Sequence, residues 1–342
     1  MENTLAVLSC TGQSISFFDL TSNTRKGYLG GLPAEPHELC LDKKRNVLYA
    51  SHTYRDGMYG LYSSYSREIS IIDLVTMKFM DIIDVTPAEA PHDFAIDTQH
   101  DILWVTVEKI SAADGLGGGL IAIDLKTHKV TKRIECLFEV HWFVMTPDGK
   151  RAYTCNKTAP FISILDLEEA RMIGKIDVPG GTEQPDLSSC GQYLLFPTPS
   201  LRFGTLPSDP AVLAIDLTTE HIVKTVPLEK GYGPASVHVA PTGVVMVAQY
   251  RFDEAKRIPI NGKVSVFDAK LETLLGEVES GIMPLTMRAS SDGRLGFVAA
   301  AKGGTIDVID LEHVKKLRTI DVDVVAKKEN KFQTTAHGMA LF

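Results

Sequence analysis

The stretch Glu68–Val85, EISIIDLVTMKFMDIIDV, reads as two short β-strands joined by a polar turn that begins at Asp73. Each arm is a run of mostly branched or aromatic residues, too short and too regularly broken for a helix. Its signature, an apolar strand that ends in Asp, recurs along the whole chain. It stands as SFFDL at Asp19, IIDL at Asp73, AIDL at Asp124, ILDL at Asp166, AIDL at Asp216, VFDA at Asp268 and VIDL at Asp310. The successive intervals are 54, 51, 42, 50, 52 and 42 residues. After each Asp comes a turn such as DLVTMK, DLKTHK or DLTTEH and a further strand, such as KVTKRIEC or HIVKTVPL. Between these pairs lie a strand that opens with Pro-His or a similar pair, a tight turn (TPDGK, APTGV, SSDGR), and a strand such as RAYTC, VVMVA or LGFVA. Four strands per repeat and seven repeats at this period predict an all-β, seven-bladed β-propeller of antiparallel blades. Runs that are apolar on both faces follow, because each blade is covered by a neighbour on either side.

The two ends of the chain complete one another. AHGMALF, at residues 336–342, reads as an innermost strand without the rest of its blade. TLAVLSC, SISFFDL and RKGYLGGL read as the three missing outer strands. Blade seven is therefore expected from residues 1–32 and 334–342, with the whole of 1–342 as one domain. Such closure removes the open sheet edge that would otherwise invite aggregation. The other inner strands are expected to begin near His37, His92, His141, Gln184, Ala235 and Leu285.

Composition narrows the function. Hydrophobic residues make up 44% and charged residues 23% of the 342, and the net charge is −8 with no basic block, so no nucleic-acid partner is expected. Met1–Cys10 holds one short apolar stretch, Leu5–Leu8, with no basic segment before it, so no signal peptide is expected there. No run approaches the roughly 18 apolar residues that span a bilayer, so no membrane is expected either. The five cysteines (Cys10, Cys40, Cys136, Cys155, Cys190) are odd in number and scattered. That suits free thiols in a reducing cytoplasm.

In a propeller, the loops between second and third strands share a face with the starts of the inner strands. Those loops are long in four blades: His52–Arg67, Lys109–Gly119, Pro197–Pro210 and Tyr250–Gly262. Long loops gathered on one face read as a lid or binding loops. On the same face, aligning the inner strands by their following turns puts His337, His37, His92, His141, Glu183, Ala235 and Leu285 at one register. Further along the strands, Asp186, His238 and Arg288 match one another in three adjacent blades. Four of only ten histidines at one register suggest a common role.

Three roles compete. The imidazoles can tie inner strands together. His37, His92, His141 or His337 can hold a transition metal, although five adjacent blades span too much of the ring for one ion and no HExxH or HxH pattern accompanies them. A His paired with Glu183 or Asp186 can instead move a proton, while Arg288 holds an enolate or carboxylate oxygen. The third, without metal or other cofactor, is the expectation. Trp142, Phe143, Met283, Leu285, Met287 and Met339 border the inner strands, and the loops add Tyr54, Met58, Tyr59, Leu61, Tyr62, Phe203, Tyr250 and Phe252. An aromatic lid over a few polar groups suits an uncharged organic substrate.

The segments ISIIDLVTMK, IDVTPAEAPHDFAID and VHWFVMTPDGKRAYTCNK resemble the YVTN-type and lactonase-like seven-bladed propellers over essentially the whole chain. That resemblance implies 6-phosphogluconolactonase-like hydrolases, carboxymuconate-lactonising cyclases, or cytosolic propellers of fungal secondary metabolism. Among the last are enzymes that couple a tropolone-derived quinone methide to a terpene by hetero-Diels–Alder reaction. The Pro-His pairs at His37 and His92 are similar to the starts of lactonase inner strands. Arg288 alone offers an inner-strand cation, a thin clamp for a phosphate, which turns the reading from a phosphosugar to a less charged substrate. The expected function is a cofactor-free cyclase or isomerase of natural-product biosynthesis. In it, an acid/base His forms a reactive conjugated carbonyl that the site holds against its partner. A lactone hydrolase and a non-enzymatic binding scaffold are the alternatives.

Overall fold

The Asp that closes each repeated strand shapes the turn after it. Asp19 Oδ1 accepts hydrogen bonds from the backbone N–H groups of Thr21 and Ser22, both at 2.8 Å. Asp124 does the same for Lys126 and Thr127 (2.9 and 2.7 Å), Asp216 for Thr218 and Thr219 (both 2.9 Å), and Asp310 for Glu312 and His313 (3.0 and 3.1 Å). Asp73, Asp166 and Asp268 each cap one such N–H, of Thr76, Glu169 and Glu272. A carboxylate that satisfies the donors of its own turn fixes the hairpin between third and fourth strands. The sequence repeat is thus a repeat of turn chemistry.

The computed structural model describes residues 3–55, 57–58, 61–62, 64–111, 117–200, 206–323 and 335–342, and for 57–58 and 61–62 the backbone alone. Its strands form seven four-stranded antiparallel sheets. The inner strands of blades one to six are Pro36–Asp42, Glu89–Asp97, Val140–Met145, Asp186–Leu187, Gly233–Val239 and Pro284–Ala289. Blade seven pairs Met339–Leu341 with Thr4–Ser9, in the register Leu5↔Leu341, Ala6↔Ala340 and Val7↔Met339. Ser14–Asp19 and Thr24–Gly30 complete it. The protein is a seven-bladed β-propeller closed by its own termini. Among the described residues there is no helix, and so none long and apolar enough to cross a membrane.

The core lies between blades. Val47, Tyr49, Ile69 and Ile71 of blade one are buried against Leu103, Val105, Ile121 and Ile123 of blade two, and comparable layers fill the other junctions. Phe143 and Met287, expected to border the mouth, belong to two of these layers, and Met339 belongs to a third while also lining an axial cavity. The segment Tyr250–Gly262, expected as a loop, mostly continues the paired strands Val245–Asp253 and Ile258–Phe267 around a bulge and a short turn. Tyr250 and Phe252 are buried there against Ala235 and Met283, so they are not a lid. His52–Arg67 carries a small hairpin, Gly57–Met58 with Leu61–Tyr62. Tyr59, Phe203 and the side chain of Tyr62 lie outside the described residues.

Two backbone features bring side chains to the axis. Five inner strands carry a register shift at their leading ends: Pro36/Leu39, Pro91/Phe94, Val140/Phe143, Pro234/Ser236 and Pro284/Met287. A bulge breaks strict alternation and re-aims neighbouring side chains. In blades one, two and six a non-glycine residue with positive φ precedes the bulge: Glu35 (47°), Ala90 (55°) and Met283 (61°). The second feature is Gly338, where blade seven meets blade one. Its N–H donates to His37 O at 2.9 Å, and its own carbonyl accepts from Leu8 N at 2.9 Å. A Cβ there would stand 2.6 Å from Glu38 Cα and 2.7 Å from His37 O, distances that side chains do not reach without displacing backbone. Gly338→Ala is expected to destabilise the protein by about 1–3 kcal/mol through overpacking of this junction. Denaturant unfolding measures it, and an unchanged midpoint would contradict the close approach.

Candidate functional site

Four imidazoles meet where the bulged strands converge. Ring centroids of His337 and His37 are 4.1 Å apart, of His37 and His92 4.5 Å, and of His92 and His141 4.4 Å. Trp142 stands edge-on to His92 at 4.8 Å and parallel to His337 at 6.5 Å. All four histidines are buried. Hydroxyls of the second strands lace the layer together. Ser51 Oγ accepts from Glu38 N (3.0 Å) and donates to His92 O (2.7 Å), while Thr106 Oγ1 accepts from Asp93 N (2.8 Å) and donates to His141 O (2.5 Å).

The carboxylates that serve these rings are largely ones the sequence reading did not select. His337 Nδ1 is 2.6 Å from Glu38 Oε1, His141 Nε2 is 2.9 Å from Glu108 Oε1, and His37 Nδ1 is 3.6 Å from Glu35 Oε1. Tyr54, expected in the lid, is fully buried and donates its hydroxyl to Glu108 Oε1 at 2.5 Å. Glu183, expected as a partner for His, stands 3.7 Å from the ammonium of Lys157. Three groupings bring ligand atoms within 4.8 Å of one another: Cys10–Glu35–His37, His37–Glu38–His337 and His92–Glu108–His141.

Burial decides the charge of this layer. It drives the His37 imidazole down to about 3 and those of His92 and His141 well below the usual range, and the Lys157 ammonium pushes the same way. Burial also pushes the Glu35 carboxyl well above the ordinary carboxylate range and that of Glu108 up to about 7, against the hydrogen bond from Tyr54. The His37, His92 and His141 rings are thus held neutral, and the Glu35 and Glu108 carboxyls keep their protons to higher pH than usual, in a dry and polar cluster. An unpaired polar group in such a place costs about 1–3 kcal/mol. Even so, His37 Nδ1, His92 Nδ1, Glu35 Oε1 and both Glu38 oxygens lack a hydrogen-bond partner.

A second level lies three residues further along the inner strands. There His238 Nδ1 is 2.9 Å from Asp186 Oδ2, and both side chains are partly exposed. Burial raises the Asp186 carboxyl, but the hydrogen bond and charge of His238, with the N–H groups of Val239 and Leu187, outweigh it and hold the group below its usual value. His238 and Arg288 line an axial cavity of about 410 Å³ with Cys40, Phe94, Pro241 and Met339. The expectation of one shared mouth is therefore replaced by two levels. His37, His92, His141 and His337 form the buried one, and Asp186, His238 and Arg288 the level at the cavity, toward the tight-turn face.

Comparison with known protein families finds no match, and no curated protein matches the sequence. Among solved structures, Kuenenia stuttgartiensis hydrazine synthase superposes with a TM-score of 0.63 and 14% identity, over 90% of this chain and 86% of that one. At that identity the likeness defines the fold, a seven-bladed β-propeller. It carries the YVTN-type and lactonase-like resemblance no further than that fold.

Asp93 lies between the two levels, accepting from Phe143 N at 3.2 Å. Burial, then the charge of Glu38, raises its carboxyl to about 7. A carboxyl raised on folding contributes stability that is complete below its unfolded value, near 4, and lost as pH rises through about 7. Asp93→Asn removes that loss, so the variant should gain stability relative to the native chain between about pH 4 and about pH 8. Denaturant unfolding across this range tests it, and a pH-independent difference would contradict the burial.

Proposed function

We propose that this propeller is a cofactor-free enzyme of the cyclase or isomerase type, with its chemistry at the axial cavity. The observation that carries the reading is the His238–Asp186 pair, 2.9 Å apart beside a cavity of about 410 Å³ that Arg288 also lines. Asp186 accepts Nδ1–H and so orients the ring, which leaves Nε2 as the atom that takes or returns a substrate proton. Arg288, a fixed cation, stabilises the oxygen of an enolate or conjugated carbonyl as charge grows on it. Phe94, Met339, Leu39 and Leu341 supply apolar wall. A cavity of this size holds a compact organic molecule and can hold it against the pair. The favoured reaction is loss of water from a hydroxylated precursor, with His238 protonating the departing hydroxyl, to give a quinone-methide-type carbonyl, followed by hetero-Diels–Alder-type cycloaddition.

The same His–Asp pair favours a second reading, activation of water on a lactone. Two substrate panels separate them: tropolone-type quinone-methide precursors with a terpene partner, and small lactones. The native chain is expected to turn over the first panel. His238→Ala and Asp186→Asn should lower that rate by roughly 100-fold or more, with melting temperatures within a few degrees of the native one. Turnover of lactones alone would select the hydrolase. No turnover on either panel would contradict an enzyme of these classes.

A further inference from the structure

The buried upper level contains one grouping whose geometry its own neighbours do not account for. His37 and Glu38 come from the bulged strand of blade one, and His337 from the segment that closes blade seven. One ligand atom from each lies within 4.8 Å of the others. His337 Nδ1 and Glu38 Oε1 approach to 2.6 Å without hydrogen-bond alignment. Neither Glu38 oxygen has a hydrogen-bond partner although the residue is 1% exposed, and His37 Nδ1 has none either. The neighbouring grouping differs. There one carboxylate oxygen, Glu108 Oε1, already accepts from Tyr54, whereas both oxygens of Glu38 are open.

We propose that His37, Glu38 and His337 bind one divalent first-row transition-metal ion at the junction that closes the ring. Two imidazoles and one carboxylate are a donor set for zinc, iron(II), manganese(II) or cobalt(II). A bound ion takes up the unpaired nitrogen and oxygen atoms together. Glu35, whose Oε1 also lacks a hydrogen-bond partner and lies 3.6 Å from His37 Nδ1, supplies a second carboxylate for charge balance or for orienting the His37 ring. The bulge explains how adjacent residues of one strand reach a common centre, since strict alternation would send Glu38 away from His37. Gly338 explains how the third ligand arrives, because it lets the backbone of blade seven touch that of blade one. The ion links the two ends of the chain at the seam. His37, Glu38 and His337 are not among the residues that line the cavity with His238 and Arg288, so the ion is separate from the proposed acid/base pair.

Chelator-treated full-length protein, titrated with cobalt(II), is the direct test. One equivalent should bind, give the visible absorption of an N/O-ligated ion, and raise the melting temperature. Glu38→Gln, which keeps the shape of the side chain, and His337→Ala should each lose that equivalent. The exposed control His100→Ala should keep it. Circular dichroism melts establish which variants are folded. A folded native chain that binds none of cobalt, zinc, manganese or iron(II) overturns the proposal. So does a folded Glu38→Gln variant with undiminished binding.

Discussion

The bulge at the leading end of the inner strands is the constraint on which the rest of the structure depends. Seven sheets that meet at one axis would present alternating side chains there, one facing the tunnel and the next facing a neighbouring blade. A shift of register at Pro36/Leu39, Pro91/Phe94 and Val140/Phe143 breaks that alternation where His37, His92 and His141 stand. Consecutive polar residues then reach the same region. The hydroxyls of Ser51 and Thr106 accept the freed N–H groups and donate to the carbonyl of the next blade, so the distortion in one sheet is tied to the position of the next. Packing between blades gives the ring its stability, and this lacing gives the histidine layer its geometry.

The two axial levels differ in access to water, and their chemistry follows from that. In the upper level burial outweighs charge, so His37, His92 and His141 give up protons while Glu35 and Glu108 hold theirs more tightly. Such groups hold a neutral network or receive a metal ion. In the lower level His238 and Asp186 remain partly exposed, and the carboxylate keeps its charge because several donors serve it. That pair is placed to exchange protons with a bound molecule. A propeller can carry both, because each inner strand passes through both levels on its way across the ring.

Much of this was legible in the sequence. The Asp-headed turns marked the blades because each Asp caps its own turn, and closure followed from an unpaired inner strand at one end and three outer strands at the other. The histidine register was legible too, since each His stands at a fixed offset from a tight turn. The carboxylates were not. Glu38 follows His37 directly, so plain strand alternation sends it to the opposite face, and only the bulge brings it back. Glu108 closed the apolar run ILWVTVEK, where an acid in a buried strand was the available signal. Separation of the levels was hidden because register gives order along a strand but not which depth is hollow. The segment Tyr250–Gly262 reads as a long loop between second and third strands, yet RIPI resumes the strand pattern.

The central claim is that imidazoles from adjacent blades share one dry cluster. Long-range proton–nitrogen NMR of the protein labelled with nitrogen-15 in histidine reads the protonation of each ring directly. At about pH 5, where an unperturbed imidazole is charged, the account expects His37, His92 and His141 to remain neutral. Rings at those three positions that carry a full positive charge at that pH would contradict it.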